Sequence, residues 1–331
     1  MTLLLLIGSV LAAIVPMFTF LAVVWWLDRY DREPVWLLTI TFFWGAIPAV
    51  LIALPGSAVL GQVLLVLSDA SGLDPALAAS VTGPVLVAPL IEEPAKALIL
   101  IYLIFNRHFD NMTDGFVYGA AAGLGFGMTE NVIYFLAATD NAMAWGATVV
   151  VRTFYSAVMH ATATSIIGAA LGFGRFRGPW ALLASGVVGY GLALGVHALW
   201  NGLIVSAEAM EEPGLFVANL ALFPIEALLV FLVFQVCLFT ESRTIARELA
   251  EEAAMGTLPA THPPRLASWW SRMSRRWMPH GVDHDTYVRL ATRLALRRNQ
   301  VRLLGPRATK YYHDDVARLR AAVREVLRHS T

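Results

Sequence analysis

Charged residues are scarce in this chain, and their signs are unevenly distributed. Only 15% of the 331 residues are charged and 57% are hydrophobic, with a mean hydropathy of +0.63. Soluble domains have about 25% charged residues, so the composition indicates a membrane protein. The first 240 residues hold only seven Lys/Arg against fifteen Asp/Glu, whereas the last 91 hold seventeen against nine. We therefore divide the chain into an apolar body, residues 1–240, and a basic tail, residues 241–331.

Several hydrolase motifs are also missing. The single cysteine, Cys237, excludes an internal disulfide. The chain contains no HExxH, no G-x-S-x-G and no G-x-G-D, which argues against zincin-like, rhomboid-like and presenilin-like proteases. The glycine-rich run at 123–127 lies inside an apolar run with no predicted strand before it, so we reject a phosphate-binding loop.

Long apolar runs, in contrast, are abundant. A helix that spans a bilayer needs about 20 mostly apolar residues. Runs of this kind occur at 3–26, 35–55, 81–105, 115–138, 145–172, 179–205 and 215–239. The stretch 56–68 either extends the second span beyond Pro55 or forms a re-entrant or interfacial piece. We predict an all-α, polytopic membrane protein with about seven transmembrane helices and a helical tail.

The loops between these runs differ in basic residues. Arginine occurs in the loops at 28–34, 106–114 and 173–178, whereas Lys and Arg are missing from 69–80, 139–144 and 206–214. By the positive-inside rule, we expect a cell-membrane protein with its N-terminus outside and its tail in the cytoplasm.

The tail combines arginine with tryptophan. The segment 265–278 has three tryptophans and four arginines, which is typical of an interfacial helix, and 284–304 and 314–329 have helical spacing. We expect the tail to bind anionic lipid. A regulatory or partner-docking domain is the alternative. We expect no nucleic-acid partner, and the sequence does not fix the oligomeric state.

A few polar side chains lie inside the predicted spans. Ionisable groups at bilayer depth cost at least about 2.5–3.5 kcal/mol each, so they usually mark a function. Glu92 and Lys96 are spaced i,i+4 and can pair. His197 and Asn201 have the same spacing, which directs both side chains to one place. The set lies at comparable depth on four spans and comprises Glu92, Glu93, Lys96, Glu130, His160, His197 and Asn201. Arg152 and Glu226 are set aside as structural or snorkelling groups.

Two backbone features indicate that these spans converge. Pro84, Pro89 and Pro94 interrupt the third span, and broken helix at membrane depth is tolerated where it faces protein or a wet cavity. In the fourth span, glycine recurs every four residues at 115, 119, 123 and 127. Such a ridge allows close approach of a neighbouring helix, and packing is its simplest interpretation.

Carboxylates, imidazoles and an amide together suit the activation of water. A glutamate accepts the proton, while His and Asn either hold a metal or stabilise an oxyanion. Zinc is the metal these residue types favour, since its catalytic sites use three protein ligands, and Glu130, His160 and His197 are the candidates. A metal-free glutamate mechanism is the alternative. A purely structural Glu92–Lys96 ion pair would leave the other members of the set without partners.

Four ordered motifs resemble those of the PrsW family of intramembrane proteases, relatives of the type II CAAX prenyl endopeptidases. They are Glu-Glu-x-x-Lys at 92–96, Phe-x-x-x-Glu-Asn at 126–131, His160, and His-x-x-x-Asn at 197–201. The resemblance covers about residues 28–205. Each motif alone is weak, but their order on successive spans is specific.

This resemblance implies roles for the site residues. Glu92 and Glu93 match the family's essential pair, of which one activates water, and Lys96 matches the basic position that neutralises them. Glu130 stands where the CAAX enzymes have His, so their ligand set does not transfer directly. The implied substrate is a single-pass, membrane-anchored regulator such as an anti-sigma factor, cleaved on the extracytoplasmic side.

Two other functional classes are compatible with the sequence. A non-catalytic membrane scaffold of the same fold would not need the full set of Glu, His and Asn. An ion-coupled transporter also uses carboxylates at mid-membrane depth, but no pair of inverted halves is visible in the sequence.

Overall fold

The computed structural model describes residues 2–72, 74–209, 213–278 and 280–328. The predicted all-α architecture is confirmed, because the regular elements of these residues are helical. The α-helices are α1 (Thr2–Leu27), α2 (Val35–Trp44), α3 (Val50–Ala70), α4 (Pro75–Thr82), α5 (Ala88–Leu103), α6 (Met112–Ala137), α7 (Ala142–Val151), α8 (Ala157–Gly174), α9 (Pro179–Ala209), α10 (Pro213–Ala254), α11 (His262–Ala267), α12 (Trp269–Met273), α13 (His284–Leu304) and α14 (Lys310–Arg328).

Within the described ranges, five helical segments are long and apolar enough to cross a membrane. They are Leu3–Leu27, Val35–Ala70, Ala142–Gly174, Pro179–Ser206 and Ala227–Ala254. The predicted spans at 81–105 and 115–138 fall outside this group, since the first carries Glu92, Glu93 and Lys96 and the second is rich in glycine and polar residues. A count of seven therefore stays a prediction.

Helix α6 lies at the centre of the bundle. Every residue from 113 to 127 is buried, so protein rather than lipid surrounds this helix and its surface need not be apolar. Its N-terminus is closed by a capping box, in which the Asn111 side chain accepts from the backbone at Asp114 and the Asp114 side chain accepts from the backbone of Asn111.

The glycine ridge of α6 packs against α8. A Cβ atom at Gly115, Gly119 or Gly123 would lie 2.0–2.4 Å from a backbone carbonyl oxygen of α8, belonging to Gly168, Thr164 and His160 respectively. On another face, a Cβ at Gly125 would lie 1.9 Å from the carbonyl oxygen of Phe42 in α2. The packing interpretation of the ridge is confirmed, and this contact sets how closely His160 approaches α6.

In the described part of the chain, three π-helical turns join pairs of α-helices into longer segments. They are Gly45–Ala49, Gly83–Val87 and Arg152–Ser156. The segment 56–68 belongs to α3, so it extends the second predicted span rather than forming a separate piece. Turns of this kind insert one residue into a helix and often occur at functional sites.

The interruption of the third predicted span lies at Gly83–Val87 and not at Pro94, where a break was also expected. Helix α5 continues through Pro94. Proline has no N–H to give to the carbonyl of Leu90, but the Tyr190 hydroxyl of α9 donates to that oxygen at 3.3 Å. The neighbouring helix therefore supplies the hydrogen-bond donor that the proline lacks, and α5 remains a continuous helix.

The tail folds around the C-terminal part of α10, which runs without interruption through residue 240. Its core is apolar and includes Ile245, Leu249, Leu258, Leu266, Tyr287, Ala291, Leu294, Leu319 and Val323. Several of its arginines form ion pairs within the tail itself: Arg298 and Arg302 pair with Glu248, and Arg320 pairs with Glu252. Both carboxylates are buried.

The expected single interfacial helix at 265–278 is wrong. Ser268 and Ser274 adopt extended backbone and divide this stretch into α11, α12 and a short 3-10 turn at Arg275–Trp277. The stretch is held beside the end of α1: the Tyr30 hydroxyl donates to the carbonyl of Ala267, and the Arg272 guanidinium donates to the carbonyl of Tyr30.

Candidate active site

A cavity of about 700 Å³ opens between α3, α6, α9 and the π turns at Gly83–Val87 and Arg152–Ser156. The predicted site residues on its wall are Glu92, Glu130, His160, His197 and Asn201, and Arg152 joins them. Glu93 and Lys96 lie behind the wall, and both are fully buried. The structure thus brings all seven predicted site residues to one place.

Glu93 is the centre of a buried hydrogen-bond network. Its Oε1 accepts from Lys96 Nζ at 2.6 Å and from His197 Nδ1 at 2.8 Å, and its Oε2 accepts from Thr164 Oγ1 at 3.1 Å. Three donors from α5, α8 and α9 therefore fill most of the acceptor positions of this carboxylate. Because Glu93 is also fully buried, it orients its neighbours and has little access to water.

Glu92 differs from its neighbour in the chain. Its side chain is 12% exposed and faces the cavity, and its Oε2 atom is buried without a hydrogen-bond partner. Lys96 Nζ is 3.7 Å from this oxygen, farther than from Glu93, and His197 Nε2 is 3.8 Å away. The predicted i,i+4 pair thus exists, but the closer partner of Lys96 is Glu93 at i,i+3.

His160 connects the network to α6. Its Nε2 lies 2.7 Å from Glu130 Oε2, and its Nδ1 lies 3.0 Å from Lys96 Nζ. Because the carboxylate accepts and the ammonium donates, the proton of the imidazole is on Nε2. Phe126 covers this region, with its ring centroid 4.3 Å from Lys96 Nζ.

Asn201 lies on the cavity wall one turn beyond His197, as its spacing predicts. Its Nδ2 donates at 2.8 Å to the carbonyl of Pro84, inside the π turn of Gly83–Val87. The side chain therefore ties α9 to the interrupted helix. One of its two amide N–H groups is therefore used by the backbone of that turn.

Sequence reasoning set Arg152 aside, but the structure places it in the site. Its Nη2 is 2.7 Å from Glu130 Oε2, and its Nε donates to Asn131 Oδ1 at 3.2 Å. The available signal was an arginine in the middle of an apolar run, next to a glutamate and a histidine in the same depth range. The Glu226 side chain, set aside with it, lies outside the described residues.

Among the residues that the structure describes, three side chains are placed to hold a metal. One ligand atom each from Glu92, His160 and His197 lies within 4.8 Å of the other two. The residues fit zinc: the Glu92 Oε2 atom is buried and unbonded, and His197 is oriented by Glu93 through its other nitrogen, as metal-binding histidines usually are. His160 would give up one of its two bonds. Glu130, a predicted ligand, lies outside this group and instead contacts His160 and Arg152.

The formal charges of the site nearly balance. Glu92, Glu93 and Glu130 face Lys96 and Arg152, which leaves one negative charge when the imidazoles are neutral. Carboxylate and imidazole side chains on the wall of a cavity, with buried hydrogen-bonded charges behind them, suit hydrolysis of a bond that enters the cavity.

Comparison with known proteins agrees with this chemistry. The sequence profile described as PrsW family intramembrane metalloprotease matches residues 33–236, well over half of the chain. The chain belongs to the PrsW family. The match begins at Glu33, in the loop before α2, and ends within α10, so the rest of the tail lies outside it.

Three similar proteins are each named Protease PrsW. The one from Bacillus subtilis (strain 168) is 30% identical over 167 residues, which is 50% of this chain and 68% of that protein. The one from Clostridioides difficile (strain 630) is 36% identical over 115 residues, which is 34% of this chain and 44% of that protein. The one from Geobacillus kaustophilus (strain HTA426) is 26% identical, over 52% of this chain and 79% of that protein. No solved structure shows a significant match to this chain.

Membership of the PrsW family, together with the apolar helices, makes this chain a multi-pass membrane peptidase. The expectation of a PrsW-type enzyme is confirmed.

Proposed function

We propose that this chain cleaves a single-pass, membrane-anchored regulatory protein, similar to an anti-sigma factor, on the extracytoplasmic side. The observation that carries this proposal is the convergence of Glu92, His160 and His197 on one cavity between helices. A cavity of about 700 Å³ accommodates a few residues of an extended peptide but not a folded domain.

Glu92 is the glutamate of the pair that meets water. Its buried, unbonded Oε2 is the oxygen placed for a metal, and the other oxygen of the carboxylate accepts the proton as the water oxygen attacks the scissile carbonyl carbon. Glu93 is fully buried and accepts three hydrogen bonds, so it positions His197 and neutralises Lys96. The paired glutamates therefore divide the work: one reacts and the other holds the framework.

Zinc, held by Glu92, His160 and His197, would supply a Lewis acid that polarises the carbonyl and increases the acidity of water. The protein's part is to orient the ligands. Glu93 holds the Nδ1–H of His197, which leaves Nε2 directed toward Glu92.

Removal of the metal is expected to abolish cleavage. Single-pass regulators from the same genome, each with an extracytoplasmic tag, are co-expressed with the full chain, and the cleaved product is sequenced from its new terminus. Zinc in the purified enzyme should be stoichiometric, activity should disappear with a chelator and return with added zinc, and His197→Ala should lose the metal. A metal-free preparation that cleaves would contradict the zinc proposal while leaving the peptidase intact.

We further propose that the tail lies in the cytoplasm and that its exposed residues bind a phospholipid headgroup. The Trp-Arg patch consists of Arg265, Trp270, Met273, Arg275 and Arg276. Two of its arginines and two tryptophans line a depression of about 330 Å³, and the whole segment is tied to Tyr30, just after α1 ends. Tryptophan beside arginine at that level suits an anionic membrane surface.

Neutralising two arginines of the Trp-Arg patch is expected to reduce bound phosphatidylglycerol. Arg265→Gln with Arg276→Gln should lower the retained lipid, measured by native mass spectrometry of the full chain, by roughly ten- to thirtyfold. Arg289→Gln with Arg318→Gln removes the same charge elsewhere and is the control. Equal losses in both double variants would contradict the proposal.

External protease on intact cells should remove an N-terminal tag and spare a C-terminal one.

A further inference from the structure

Arg152 lies where a developing negative charge could be stabilised. Its side chain is 15% exposed, and that exposed part opens on the same cavity as Glu92, His160 and His197. Lys96, in contrast, is fully buried behind Glu93. Of the Lys and Arg residues that the structure describes, Arg152 is the one on the wall of this cavity.

The local backbone directs Arg152 toward His160. Eight residues of regular α-helix, at about 100° each, would separate their directions by about 80°. The π turn at Arg152–Ser156 inserts one extra residue, which reduces this difference to about 20°. Both side chains therefore contact Glu130 Oε2, each at 2.7 Å.

The guanidinium is held in place but is not saturated. Its Nε donates to Asn131, and its Cζ lies 3.6 Å from the centroid of the Tyr134 ring, which fixes its plane. Its Nη2 is ion-paired with Glu130 but forms no aligned hydrogen bond. Since arginine carries five N–H donors, this group keeps donors for a ligand in the cavity.

Asn201 is the other candidate for such a donor, but its amide is neutral and one of its two N–H groups already donates to the carbonyl of Pro84. Arg152 is therefore the better placed of the two to receive an oxygen that becomes negative during the reaction.

We propose that Arg152 is a catalytic residue of this peptidase, whose guanidinium binds the scissile carbonyl oxygen and stabilises the oxyanion. This inference rests on the proposed hydrolysis at the cavity. As the water oxygen bonds to the carbonyl carbon, its proton passes to Glu92 and the π electron pair moves onto the oxygen beside Arg152. When the carbonyl re-forms, the C–N bond breaks and the amine leaves with the proton from Glu92.

The test uses the full chain in detergent, with the substrate found by co-expression and with a phosphinic dipeptide as a probe of oxyanion binding. Arg152→Gln is expected to lower kcat by about 10²–10³-fold with little change in KM. Arg152→Lys keeps the positive charge but loses the planar set of N–H donors, so its kcat should lie between those of Arg152→Gln and the native chain. Arg152→Gln should also bind the phosphinate at least tenfold more weakly than the native chain.

A structural role for Arg152 is separated by the double variant Glu130→Gln with Arg152→Gln. If Arg152 only neutralised Glu130, removing both charges would restore activity and phosphinate binding. We expect the double variant to stay as slow as Arg152→Gln. Restored activity, native phosphinate affinity in Arg152→Gln, or no phosphinate binding by the native chain would overturn the inference. A native chain that binds phosphinate but cleaves no substrate would instead count against the proposed function.

Discussion

Glu92→Gln is expected to lower kcat by about 10³-fold while the protein remains folded. Glu92 faces the cavity, its Oε2 has no hydrogen-bond partner, and no other described group depends on it for a close contact. The amide therefore removes the proton acceptor at little cost to packing. Initial rates on the single-pass substrate and the thermal midpoint in detergent measure the two effects.

Glu93→Gln provides the contrast. A neutral amide at this position would leave Lys96 buried without its closest counter-charge, and removing one partner of a buried ion pair costs about 3–5 kcal/mol. This variant should lose stability together with activity. Glu325→Gln, on the exposed surface of α14, is the matched control and should behave as the native chain. Full activity of Glu92→Gln would refute the role assigned to Glu92.

Gly119→Leu is expected to prevent α6 from packing on α8 and to yield little folded protein. A single Cβ atom at this position would lie 2.4 Å from the carbonyl oxygen of Thr164 and 2.6 Å from Ser165 Cα. Both contacts are backbone, so no rotamer change relieves them. Extra carbon atoms forced into a packed interior typically destabilise a protein by about 1–3 kcal/mol, occasionally more, and leucine adds several such atoms.

The control for this variant is Gly191→Leu, in α9. A Cβ atom at Gly191 meets no atom within 4 Å, and the residue is exposed on the bundle surface. Size-exclusion profiles and thermal midpoints of the two variants separate the close contact from the general effect of replacing a helical glycine. Comparable yields and midpoints would show that α6 and α8 tolerate separation here.

The helices and the members of the site could be predicted because each follows from local pattern. Apolar length predicts spans, and ionisable residues within a span stand out by their cost, which identified Glu92, Glu93 and His160. The glycine spacing also predicted the close packing of α6.

The partners of these side chains could not be predicted, since they depend on helix rotation. Pattern alone paired Lys96 with Glu92 at i,i+4, whereas the closer partner is Glu93. Arg152 stood out as an arginine within an apolar run, but the π turn that directs it to the cavity wall leaves no clear sequence signal. The break within 265–278 was missed because Ser268 and Ser274 also occur in helices.

The hydrogen bond between His197 and Glu93 spans 104 residues of sequence, and it has a consequence for biosynthesis. The glutamates of α5 leave the ribosome well before α9 does. Until α9 inserts, the nascent chain has neither His197 nor the Tyr190 hydroxyl that completes α5. The side chains that line the cavity are therefore brought together only after α9 has joined the bundle.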